Sequence, residues 1–186
     1  MQDGLNNNVS EIHIVSVKNE CKELLFLCKE GYFSPRIFCV NIREEENTEV
    51  FDFTADEESM CELLPASSRG KYLYEPNASV LKSGAFKLLC NRFGVYKLHK
   101  NTHLYTSDIL RFDFPGRVFE IEDVFPAKKK TFRQHLPAMQ ANITVRNYPL
   151  SVEQLRKAYK IKEGGDIYLF ATTLWDERKA MIKGKK

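Results

Sequence analysis

The chain has 186 residues, 43% apolar and 28% charged, which is ordinary globular composition with room for one large or two small cores. No stretch approaches the roughly 18 continuous apolar residues that cross a bilayer, and the polar start MQDGLNNNVSE has no apolar segment of the signal-peptide kind. The formal charge of +3 is uneven, because residues 1–110 carry 12 Lys and Arg against 16 Asp and Glu, while residues 111–186 carry 16 against 9.

Residues 1–10 read as a polar leader or linker remnant. Glu11–Val17 is β-branched and predicts a strand. A helix is expected next, capped by Asn19, with Leu24, Leu25 and Cys28 at helical spacing and Gly31 as its stop. Arg36–Ile42 would close a β-α-β unit. The turn at Val17-Lys18-Asn19 has no glycine-rich phosphate loop, which argues against Rossmann-type nucleotide binding. Glu44-Glu45-Glu46 reads as a solvated turn, and Glu49–Phe53 as the hairpin partner of the preceding strand.

Residues 55–70 are polar and turn-rich, and Lys71–Glu75 alternates as a strand. One helix is expected from Ser79 to Phe93, capped by Asn77 or Ser79, with Leu81, Ala85, Leu88 and Leu89 on or near one face. Gly84 inside it marks either a close packing contact or a tolerated glycine. Val95–Leu98 and Leu104–Thr106 are short strands. This order is close to a split β-α-β, ferredoxin-like domain over 11–114, with an insertion. Pro115-Gly116 is the expected domain boundary.

Beyond it, Arg117–Phe125 predicts a strand, Lys128–Leu136 a short helix and Ala141–Tyr148 a strand. Ser151 caps the next helix, and Gln154 stands at the capping-box position. Val152, Leu155 and Tyr159 form its apolar side. Gly164-Gly165-Asp166 turns the chain into Ile167–Leu174, with Lys179–Ile182 as a hairpin partner. Residues 115–186 therefore read as a β-α-β-α-β-β module. The fold class expected for the whole is α+β, built from two small α/β modules.

No reaction centre stands out. The serines lack a G-x-S-x-G elbow, and no H-E-x-x-H occurs. His13, His99, His103 and His135 have no carboxylate or cysteine at metal-ligand spacing, so no metal site is expected. Cys21, Cys28, Cys39, Cys61 and Cys90 form no C-x-x-C pair and read as reduced thiols of a cytoplasmic protein. The densest positive cluster is Lys128, Lys129, Lys130 and Arg133, extended by Arg146, Arg156, Lys157, Lys160 and Lys162 if they share its face. Spaced cations of this kind suit a phosphate backbone, and Tyr148 and Tyr159 could offer stacking surfaces for RNA bases. The plainer alternatives are solvated lysines and a core Tyr159.

Two stretches carry a family resemblance. One is VSVKNECKELLF with KYLYEPNASVLKSGAFKLLCNRFGVYKLHKNTHLYTSD; the other runs from FPGRVFEIEDVF through RNYPLSVEQLRKAYKIKEGGDIYLFATT. Together, from about Ser10 onward, they resemble the C-terminal half of a family of bacterial class I S-adenosylmethionine-dependent methyltransferases. The resemblance implies a ferredoxin-like domain over 11–114 and a THUMP-like domain over 115–186. It implies that the S-adenosylmethionine-binding catalytic domain lies before residue 1, so this chain is expected to hold neither cofactor nor catalytic residues. It further implies recruitment of tRNA or rRNA, with Lys128, Lys129, Lys130, Arg133 and Arg146 as the leading contacts. The alternative is a structural module that positions the catalytic domain through an apolar patch, without touching nucleic acid.

Overall fold

The computed structural model describes residues 8–32, 34–44 and 47–186. Most of the expected leader and the Glu45-Glu46 part of the acidic turn lie outside the described residues. The chain divides into two compact units. The first takes residues up to Leu63, Pro76–Phe93 and Asp113–Arg117; the second takes Leu64–Glu75, Gly94–Phe112 and Val118–Lys186.

The first unit is a four-stranded sheet backed by short helices. β1 (Val9–Val17) turns through Lys18-Asn19 into β2 (Glu20–Cys28), followed by β3 (Arg36–Glu44) and β4 (Asn47–Thr54) in the order β2-β1-β3-β4. The helix expected after Asn19 is therefore a strand. Lys18 and Asn19 both adopt positive φ, 50° and 62°, which is the left-handed pair that a two-residue hairpin turn requires. The turn pairs Val17 with Glu20 and carries the antiparallel ladder to Phe26 against Ile12. Asn19 starts no helix of its own; its Oδ1 accepts the Ala78 N–H at 2.8 Å. β1 and β3 are parallel, as a β-α-β unit would have them, but a strand occupies the crossover.

Within the stretch expected to be turn-rich, α1 (Ala55–Met60) forms behind a capping box between Thr54 and Glu57. The single helix expected over 79–93 is two, α2 (Ala78–Ser83) and α3 (Phe86–Phe93). Asn77 caps α2, accepting from the Val80 N–H, and Gly84 ends it at φ 85°. Nothing lies within 4 Å of where a Gly84 Cβ would stand, so its backbone conformation, not close packing, selects glycine there. Ile14, Cys39, Phe51 and Phe53 form the buried face of the sheet, and Phe93 of α3 packs on Phe51 at 6.0 Å between ring centroids.

The second unit is organised by a seven-stranded sheet. β5 (Tyr72–Pro76), β6 (Tyr96–His99) and β7 (Thr102–Ser107) join β8 (Gly116–Phe125), β9 (Asn142–Arg146), β10 (Tyr168–Thr173) and β11 (Lys179–Lys185). Their order is β6-β7-β5-β8-β11-β10-β9. The compact units thus do not follow a single break at 114/115, because β5, β6 and β7 pair into the sheet that β8 continues. From β8 onward the order is β-α-β-α-β-β, with α4 (Lys129–His135) and α5 (Val152–Tyr159) as its helices. Side chains alternate between the sheet's two faces. Phe125, Leu169, Ala171 and Met181 meet Phe132 of α4 and Leu155 of α5. Their strand neighbours Phe170 and Ile182 pack on the other side with Leu73, Leu98, Leu104 and Phe119.

Candidate nucleic-acid interface

The basic residues are placed by two short amphipathic helices. α4 buries Phe132 completely and leaves Lys128, Lys129, Lys130 and Arg133 exposed. α5 starts at the Ser151–Gln154 capping box, buries Leu155 and leaves Lys157 exposed. Lys160 ends it in the left-handed conformation at φ 57° and is also exposed. The helices are neighbours: the Phe132 and Tyr159 rings stand 4.2 Å apart, and the Tyr159 hydroxyl donates to the Ala127 carbonyl at 2.9 Å. Lys162 follows α5, with its side chain exposed and its backbone bonded to Met139 and Ala141. The structure therefore brings seven of the nine sequence candidates onto exposed positions of two adjoining helices and the turn after them.

The other two have local partners. Arg156 is partly covered and lies 3.9 Å from Glu163. Arg146 stands apart. Ile143 and Val145 of β9 pack toward the helices, so alternation sends Arg146 to the opposite face of the sheet. There its Nη2 donates to Oε1 of buried Glu75 at 2.9 Å. Tyr159 is committed to the α4 contact, and Tyr148 is half-buried against the same core, where burial raises its hydroxyl pKa. Neither ring is an open stacking platform.

Beside Arg146 lies a polar interior that the sequence does not announce. Glu75, Lys97, His99 and Thr102 are all buried. His99 faces Glu177 through Nε2 at 2.9 Å, while its Nδ1 meets the Asn101 N–H and the Asn147 amide. Those two donors make Nδ1 the acceptor and place the ring proton on Nε2. The hydrogen bond to His99 holds the Glu177 carboxyl below its usual range. His103 is pushed down to about 4, first by burial and then by the positive charges of Lys97 and Arg146. Among the described residues no group of three His, Cys, Asp or Glu could hold a metal ion. No described helix is long and apolar enough to cross a membrane.

The first unit shows a different kind of surface. Its helical side is buried at Ile14, Cys39, Phe51 and Phe53, and the opposite sheet face carries Leu25, His13 and Phe38 in one row and Val15, Val40 and Val50 in the next. Leu25, Leu27 and Val50 are 52%, 53% and 58% exposed, and every residue of the edge strand β2 is exposed. His13 stacks on Phe38 at 4.8 Å. Among the described residues no further strand pairs with the outer edge of β2, so an apolar edge and an apolar face stand open side by side.

Comparison with known proteins agrees with these elements. Residues 72–115 match the family model of a ferredoxin-like domain, and residues 116–186 match that of a THUMP domain-like region. The chain is thus a mixed α/β protein with a ferredoxin-like domain followed by a THUMP-like domain. A crystal structure from Porphyromonas gingivalis, of a protein named as a candidate methyltransferase, is similar at 36% identity with a TM-score of 0.89. The match covers 99% of this chain and 48% of that one, so the chain spans about half the length of this relative. No curated protein matches.

Proposed function

We propose that this chain is the accessory region of an S-adenosylmethionine-dependent methyltransferase, and that it recruits tRNA or rRNA through the α4–α5 surface. The observation that carries this is the set of exposed cations, Lys128, Lys129, Lys130, Arg133, Lys157, Lys160 and Lys162, on adjoining elements. Each can meet a phosphate, and together they give sequence-independent affinity that falls with salt. The cofactor and the reacting groups belong to the catalytic domain expected from the resemblance. In a salt series, tRNA and rRNA fragments should bind the chain more tightly than a neutral control protein. The Lys129→Glu, Lys130→Glu double variant should weaken binding and flatten its salt dependence. Affinity equal to the control at low salt would remove the reading.

The open sheet face of the first unit favours a second, compatible role: seating the catalytic domain. Leu25, Leu27 and Val50 would be covered by that contact. The half of the Porphyromonas gingivalis protein that this chain does not match is the partner to test. Expressed separately, it should bind this chain in trans, and Leu25→Glu with Leu27→Glu should abolish the complex. Complex formation unaffected by those changes would move the docking site elsewhere.

A further inference from the structure

On the sheet face away from α4 and α5, the second unit holds a cavity of about 270 Å³. Its floor is apolar, made by Leu98, Ile121, Leu174 and Ile182. Trp175, the chain's sole tryptophan, lines it from the turn between β10 and β11 and is 41% exposed. The His99 ring meets the indole edge-on at 6.0 Å, and His99 is itself buried and held by Glu177. The indole is therefore braced while much of its surface stays open, as a stacking platform requires.

The mouth is polar and contains two arginines with unequal commitments. Arg178 is bonded to Asp176 at 2.6 Å. Among the described residues Arg69 is paired with Asp123 alone, at 3.9 Å, and the other Asp123 oxygen is taken by His135 at 2.7 Å. A long pair between half-exposed groups is worth little, so an incoming phosphate could replace Asp123 as the partner of Arg69. Ser67 and Ser68, both exposed, line the same cavity, and a serine hydroxyl can donate to or accept from a polar ring edge. A fitting ligand needs a flat, largely apolar body against an indole and one anionic group at the rim.

We propose that this cavity binds a nucleotide, with its base against Trp175 and its phosphate on Arg69. The ligand is either a free mononucleotide or an unpaired nucleotide of an RNA chain. The inference stands independently of the α4–α5 surface, which lies on the other side of the sheet.

The single tryptophan makes the test direct. The full chain is titrated with the four ribonucleoside 5′-monophosphates and with a short unstructured oligoribonucleotide, following Trp175 emission. Saturable quenching is expected, and Arg69→Ala should weaken it roughly tenfold while the free protein's emission stays unchanged. Quenching by monophosphates identifies a free-nucleotide site; quenching by the oligonucleotide alone identifies an RNA subsite. The inference is overturned by an absence of saturable quenching with either probe, or by quenching that Arg69→Ala leaves unaltered. Monophosphate quenching that persists in the Lys129→Glu, Lys130→Glu protein would separate this site from the helical surface, whatever becomes of RNA binding there.

Discussion

Arg146 and Glu75 are 71 positions apart in sequence, yet the Arg146 guanidinium donates to the Glu75 carboxylate at 2.9 Å. The Glu75 side chain is only 2% exposed, so its charge depends on what surrounds it in the fold. Removing the arginine leaves that carboxylate with a partner lost, which for buried pairs costs about 3 kcal/mol or more. Arg146→Met should therefore lower the urea midpoint clearly, and Glu75→Gln in the same chain should recover part of the loss. RNA affinity of the folded Arg146→Met protein should stay near that of the parent. A normal midpoint together with weakened RNA binding would return Arg146 to the nucleic-acid surface.

His103 sets a pH dependence with a definite sign. Burial, Lys97 and Arg146 lower its folded pKa from 6.5 to about 4. Between those values the unfolded chain binds the extra proton and the folded chain does not. The stability tied to neutral His103 is complete above about pH 6.5 and drains away as pH falls toward 4. Urea midpoints measured from pH 7.5 to 4.5 should decline less steeply in His103→Gln than in the parent. The comparison between the two chains removes the shared contribution of the other histidines. Parallel profiles would contradict the assignment.

Gly70 tests the packing beneath the sheet. A Cβ there would stand 2.5 Å from the Ser107 backbone carbonyl carbon and 2.8 Å from the Thr106 hydroxyl. Backbone cannot swing aside as a side chain can, and the Gly70 N–H already donates to Thr106 Oγ1 at 2.9 Å. Gly70→Ala should destabilise by roughly 1–3 kcal/mol, the range for overpacking. Gly84→Ala should cost less, about 1 kcal/mol, because only its left-handed backbone objects. Thermal unfolding of the two variants side by side reads this order.

What was legible in the sequence follows the range of the interaction responsible. The α5 start was readable because Ser151 and Gln154 act across three residues. Strand β2 was misread because Leu24, Leu25 and Cys28 satisfy helical spacing, while the deciding feature is the left-handed turn at Lys18-Asn19. Asparagine tolerates that conformation readily, but lysine gives no such signal. The lysines of α4 and α5 were legible as a cluster because two local helices carry them. Arg146 was not separable from them, since Glu75 reaches it only through the pairing of distant strands. The Trp175 cavity was invisible for the same reason: its lining is drawn from four separated stretches of chain.

The open face of the first unit yields a contrast within a single sheet. Ile14 is buried at 5% exposure and packs on the helical side, whereas Leu25 and Leu27 are about half exposed on the opposite one. Ile14→Ala should cost roughly 2–4 kcal/mol, the price of a core cavity. Leu25→Thr and Leu27→Thr introduce β-branched residues that suit a strand and forfeit little burial, so each should shift stability by less than about 0.5 kcal/mol. The same two changes should reduce binding of a hydrophobic dye and raise solubility, because they remove apolar area that this chain alone leaves uncovered. Urea unfolding and dye fluorescence on the three variants measure both effects. A large stability loss in Leu25→Thr would mean that the face is already packed within the chain and is no seat for a partner.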